Sequence, residues 1–137
     1  MPLAESMGEF QLKVTSVKPI DMGGGQTRVE LTLAGETTGD MPGQHFGTLI
    51  VTAGAPGRPN PWTYTGATLT SSGSVVRISG QGLGIRTGDS HKSRYRGATC
   101  SSTDDPKLAD FNNVIGAVEF EGDPATQMFK GAACVWK

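Results

Sequence analysis

The chain has little room for helix. Its longest run free of glycine and proline is ten residues, Glu9 to Lys18, and that run alternates with a period of two. A typical helix needs about 11–12 residues and tolerates glycine and proline poorly in its interior. Only Lys107–Ile115, after Pro106, leaves space for one or two helical turns. Charge of one sign is equally scarce, with 12 Lys and Arg against 13 Asp and Glu. Without a basic excess or a polybasic run, neither nucleic acid nor a membrane surface is an expected partner. No apolar run approaches the roughly 18 residues of a membrane span. The opening MPLAESMGEF has neither the basic nor the apolar region of a signal peptide. None of Asn60, Asn112 and Asn113 begins an Asn-x-Ser/Thr sequon. A cytoplasmic location is the expectation.

Cysteine and histidine are sparse. Cys100 and Cys134 fall in strand-like segments and read, in a reducing compartment, as small buried apolar residues; a disulfide is the alternative if their strands are neighbours. His45 and His91 belong to no H-x-x-x-H or C-x-x-C pattern, so neither a metal nor a cofactor is expected.

What the chain does have is glycine, 20 of 137 residues, and abundant Thr, Ser and Val, the composition of an all-β domain. Its length fits one domain, with residues 1–8 expected as a loose leader. The clearest stretch is WTYTGATLTSSGSVVRISGQGLG, Trp62 to Gly84. It reads as a hairpin, Trp62–Thr70 and Val75–Ser79 around a Ser71–Ser74 turn containing Gly73. The same idiom recurs. Glu9–Val17, Thr27–Ala34, Gln44–Ala53, Ser93–Ser101, Val114–Glu121 and Thr126–Trp136 are strand segments separated by short polar, Gly- or Pro-bearing connections. In the second, Val29, Leu31 and Leu33 alternate with Arg28, Glu30 and Thr32; in the seventh, Val118 and Phe120 alternate with Glu119 and Glu121. Trp136 is expected to lock the chain end into the sheet. About eight short strands with compact turns suit a sandwich or an up-and-down barrel. The barrel is favoured, because closure removes edges that this sequence does little to protect. A single antiparallel barrel of this size is either filled or holds one small ligand.

The strand Phe111-x4-Gly116-x-Val118-x-Phe120-x-Gly122, the polar strand before it and the final strand ending at Trp136 resemble the allene-oxide-cyclase-type barrels, a group that includes dirigent proteins and spirotetronate cyclases. The resemblance spans roughly Thr27 to Trp136 and lies in strand order and glycine placement. It contains no catalytic motif, so it assigns no residue a role. It implies a cavity for an apolar small molecule, with cyclase or isomerase chemistry in some members and binding alone in others.

Several motifs have plain readings. Gly80-Gln81-Gly82-Leu83-Gly84 lacks the G-x-G-x-x-G spacing and a following helix, so it is a bent strand rather than a phosphate loop. Ser90-His91 lies in a polar loop, and adjacency does not aim one side chain at the other. Arg86, His91, Lys92, Arg94 and Arg96 could receive an anion, but Arg94 and Arg96 read more simply as the wet face of a strand paired with Glu119 or Glu121. Trp62 and Tyr64 share one face of a strand after the Pro-rich loop. The plain reading is an aromatic cap on the core; the functional one is the wall of a pocket at a barrel mouth. On the functional reading, Tyr64, Glu119 and His45 are candidate acids or bases, and Trp62, Arg77, Tyr95 and Phe120 are candidate ligand contacts. The expected substrate is a small apolar or polyene molecule, cyclised or isomerised. The alternatives are a non-catalytic hydrophobic-ligand binder and a self-assembling protein, and a homo-oligomer is compatible with each.

Overall fold

In a computed structural model, which describes residues 4–21, 27–53, 58–87 and 92–136, the chain is a closed antiparallel barrel of eight strands in sequence order. The strands are β1 (Ala4–Asp21), β2 (Thr27–Thr37), β3 (Gly43–Ala53), β4 (Asn60–Thr70), β5 (Val75–Arg86), β6 (Ser93–Thr103), β7 (Ile115–Asp123) and β8 (Met128–Trp136). Each pairs with the next, and β8 returns to pair with β1. The barrel is therefore the outcome, not the sandwich. Residues 4–8, within the expected leader, pair with β8 as part of β1. Trp136 pairs through its backbone with Ala4, while its side chain lies outside the described residues. Pro19 lies beyond Lys13, the last residue of β1 paired with β8, and beside a register shift in the β2 pairing, the edge-like and irregular setting in which a strand accepts proline. No helix among the described residues is long and apolar enough to cross a membrane.

The period of two decides what faces inward. Leu33, Leu49, Trp62, Tyr95, Val118, Phe120 and Phe129 are buried in one cluster inside the barrel. Phe120 is its hub, with ring centroids 4.8 Å from Tyr95, 5.2 Å from Trp62, 6.0 Å from Phe129 and 6.1 Å from Phe10. Inward glycines make space for these rings. A Cβ on Gly84 would sit 2.5 Å from the Tyr95 ring, and one on Gly122 2.5 Å from Phe129. Of the alternating glycines of β5, Gly84 lies under the Tyr95 ring, Gly82 against the β6 backbone and Gly80 against the Thr99 methyl. The outward residues of β6 and β7 form the ladder read from the sequence, with Arg94 3.3 Å from Glu121 and Arg96 3.5 Å from Glu119. Such exposed pairs contribute little stability. Lys92 pairs with Asp123 at 3.8 Å, and His91 lies outside the described residues.

The same parity corrects the reading of the cysteines. Cys100 points outward from β6 and is exposed; Cys134 is partly buried on β8; both are free thiols, with β7 between their strands.

One end of the barrel is covered by a 3-10 helix, Pro106–Asn113, in the slot where one or two turns were expected. Asp105 caps it, accepting from the Lys107 amide at 2.9 Å and from the Ser74 hydroxyl. These hydrogen bonds hold the Asp105 carboxyl below the usual range. Leu108 and Phe111 pack onto Met41 and Val76 in a second apolar cluster. Asn112 ties the helix to β6 just beyond the last β7 partner. Its Oδ1 accepts from the Thr103 amide at 2.7 Å and its Nδ2 donates to the Thr103 carbonyl at 3.1 Å. Replacing Asn112 with Ala leaves both Thr103 groups unpaired and is expected to lower stability by about 1–2 kcal/mol. A denaturant midpoint checks this, and unchanged amide exchange at Thr103 would count against it.

Candidate functional site

Between the aromatic cluster and the covered end lies a partly open cavity of about 110 Å³. It is bounded mainly by apolar side chains, including Leu12, Leu33, Leu49, Trp62, Ile78, Val118, Phe120 and Phe129. A dry apolar cavity of about 150 Å³ holds a benzene ring, so this space is on the scale of one small ring. Glu9 is the one charged residue among the described lining residues, and it is exposed.

The polar feature of this wall is built by register. His45 near the start of β3 and Thr68 near the end of β4 are direct cross-strand partners. His45 Nδ1 lies 2.8 Å from Thr68 Oγ1, and Nε2 lies 2.5 Å from the Tyr64 hydroxyl. The Tyr64 ring stacks on the imidazole with centroids 5.7 Å apart and 17° between planes. Glycines on both strands admit the phenol, since a Cβ on either Gly47 or Gly66 would collide with the Tyr64 hydroxyl. His45 is only 5% exposed. Burial disfavours its charged form and lowers its pKa to about 4, and the same cause pushes the Tyr64 phenol up. Both rings are neutral at neutral pH.

A neutral imidazole donates from one nitrogen and accepts at the other. With the proton on Nε2, His45 donates to the Tyr64 oxygen, Thr68 donates to Nδ1, and the phenol proton is directed elsewhere. With the proton on Nδ1, Tyr64 donates to Nε2 and its oxygen is left as an acceptor. The unit can therefore offer a ligand either a donor or an acceptor without carrying charge.

Of the residues expected at the site, His45, Tyr64, Trp62 and Phe120 all line this cavity. The others are elsewhere. Tyr95 faces inward but is stacked against Phe120, away from the cavity lining; burial raises its phenol pKa, opposed by a Ser93 hydrogen bond. Arg77 points outward from β5, where its neighbour Val76 points in. Glu119 is on the outer wall with Arg94 and Arg96. The expectation that Arg77 and Glu119 share a pocket with Trp62 is corrected, since strand parity sends their side chains the other way. Trp62 is 2% exposed, and its Nε1 has no hydrogen-bond partner among the described residues. It is at once a core residue and a cavity wall. Thr68 carries no sequence signal of its own. Its hydroxyl matters only once the β3–β4 register is known, and the Pro- and Gly-rich connection between those strands specifies no turn type that would fix it.

No protein-family model matches the chain, and no curated protein matches it. Solved structures do. The barrel is similar to a beta-barrel-like protein from Acinetobacter baumannii AYE, with a TM-score of 0.84 and 12% identity over 98% of this chain and 95% of that one. It is similar to a conserved protein of unknown function from Rhodopseudomonas palustris, with a TM-score of 0.80 and 14% identity over 98% and 99%. It is also similar to an enzyme from Penicillium herquei, with a TM-score of 0.67 and 18% identity over 98% and 96%. At such identities the likeness is one of fold: this chain is an eight-stranded barrel of a kind found in bacterial proteins and in a fungal enzyme.

Proposed function

We propose that the protein takes a small, neutral, mostly apolar molecule into the barrel cavity and isomerises or cyclises it, with Tyr64 holding a substrate oxygen. The observation that carries this reading is the hydrogen-bonded Tyr64–His45–Thr68 unit on the wall of a mostly apolar cavity. Apolar walls with a few fixed polar groups are what small-molecule sites use for orientation. Tyr64 keeps its proton because burial raises its pKa, and His45 holds the phenol in place from behind. A hydrogen bond from Tyr64 to a carbonyl or ether oxygen would stabilise charge developing there, while the walls hold the reacting atoms in a productive conformer. The cavity volume favours a single ring over a polyene chain. The uncharged relay favours a neutral ligand over a carboxylate.

A convenient test is conversion of 3-cyclohexen-1-one to its conjugated isomer, followed by ultraviolet absorbance; solvent takes the C2 proton and returns one at C4, while Tyr64 holds the oxygen of the intervening dienolate. The wild type is expected to accelerate it, and Tyr64→Phe to lose about 10²-fold or more, the effect of deleting one oxyanion donor. Binding without acceleration would favour the second reading, a non-catalytic barrel for hydrophobic metabolites. The low basicity of His45 supports that alternative. In that case Tyr64→Phe weakens binding only by the value of one hydrogen bond, about fivefold. If the wild type neither binds nor converts such rings, both readings fail.

A further inference from the structure

The cavity has a second polar locus. Thr37, Thr38, Tyr64 and Thr68 all line it with hydroxyls engaged inside the protein: Thr37 with the Met41 carbonyl, Thr38 with the Glu9 carbonyl, and the other two with His45. Thr99 and Ser101 also line it, and their hydroxyls have no hydrogen-bond partner among the described residues. Both sit at inward positions of β6, in register with Gly80 and Ile78 of β5. In the closed ring, β6 lies two strands from β4 and three from β3, so this pair occupies a different wall from the Tyr64 unit. Neither oxygen is sealed away from solvent, because the Trp62 nitrogen is the one buried, unpartnered side-chain polar atom among the described residues. Two accessible, unused hydroxyls thus face an apolar space whose other polar group is on another wall.

We infer that the ligand is a ring bearing two oxygen functions, one held by Tyr64 and the other by Ser101 and Thr99. The inference rests on the cavity being the binding site, as proposed above. A hydroxyl can donate or accept, so Ser101 and Thr99 recognise either a carbonyl or a hydroxyl oxygen. A ring with one oxygen would satisfy Tyr64 and leave the β6 hydroxyls with no ligand partner. Ser101 and Thr99 are therefore specificity residues, separate from the group proposed to assist the reaction.

The test compares phenol with resorcinol and hydroquinone, all neutral single rings, by calorimetric titration of the full chain. At least one of the two diols is expected to bind about fivefold tighter than phenol, the value of one net hydrogen bond. Ser101→Ala or Thr99→Val should remove that preference while phenol affinity stays within about twofold, because the phenol contact at Tyr64 is untouched. Tyr64→Phe should weaken all three. Thr99→Val preserves the shape beside Gly80, so at least one variant retains the packing of the wall. Equal binding of phenol and both diols, or a diol preference that survives in both β6 variants, would overturn this inference and leave the cavity reading standing. Failure of all three rings to bind would overturn both.

Discussion

Replacing Phe120 with Ala is expected to remove about 4 kcal/mol of stability. The side chain is buried and its ring meets four others, Tyr95, Trp62, Phe129 and Phe10. Deletion forfeits the transfer free energy of a large apolar group and leaves a hole that the rigid barrel wall cannot collapse into. Each aromatic pair adds about 0.5–1.5 kcal/mol beyond the buried area. Phe120→Leu keeps most of the burial and loses the ring geometry, so about 1–2 kcal/mol is expected there. Urea unfolding with an unchanged m-value measures both. A loss below about 1 kcal/mol for the alanine variant would mean that the cluster repacks freely and that the barrel wall is not rigid. Because Phe120 also lines the cavity, the leucine variant should admit bulkier rings.

The second large effect is on acid stability. Burial lowers the His45 pKa from 6.5 to about 4. Below pH 6.5 the unfolded chain takes up a proton that the native barrel refuses, so folding loses free energy as pH falls. The loss runs from pH 6.5 down to about 4, where native His45 also protonates, and amounts to roughly 3 kcal/mol. Asp105, whose pKa is depressed from 3.8, acts below this window and does not obscure it. His45→Gln is less stable at pH 7, through loss of the Tyr64 and Thr68 contacts, but its stability should change much less between pH 6.5 and 4. If the variant keeps the wild-type slope, the acid sensitivity belongs to other groups and His45 is not held neutral by burial.

The barrel is legible in the sequence because most of its strands carry a period of two and are joined by compact connections, as at Ser71–Ser74. The site is legible only in part, and the misplacements have one source. The alternation that puts Val118 and Phe120 inside puts Glu119 outside, and Val76 inside puts Arg77 outside. A barrel interior that takes the Glu119 side chain together with that of Phe120 contradicts the period of two that defines the strand. That much is available from the residues alone. The partnership of His45 with Thr68 is not, since it depends on a register set across a Pro- and Gly-rich connection. The same holds for Ser101 and Thr99, whose relation to Tyr64 is fixed only when the ring of strands closes. The β5 glycines do mark a place of close approach, but what approaches them is the protein itself: the Tyr95 ring at Gly84, the β6 backbone at Gly82 and the Thr99 methyl at Gly80.

The seam between β1 and β8 has a kinetic consequence. Every other pairing joins neighbours in the chain, as Leu69 meets Val75 across a tight turn. The seam instead joins Lys13 to Met128 and Ala4 to Trp136. Looping the chain that far costs roughly 3 kcal/mol more in entropy than closing a hairpin. Hairpins can therefore form early and locally, while the final zipping waits on one long excursion. Until then β1 and β8 each carry an open row of amides and carbonyls, the species in which strangers compete with the chain's own last strand.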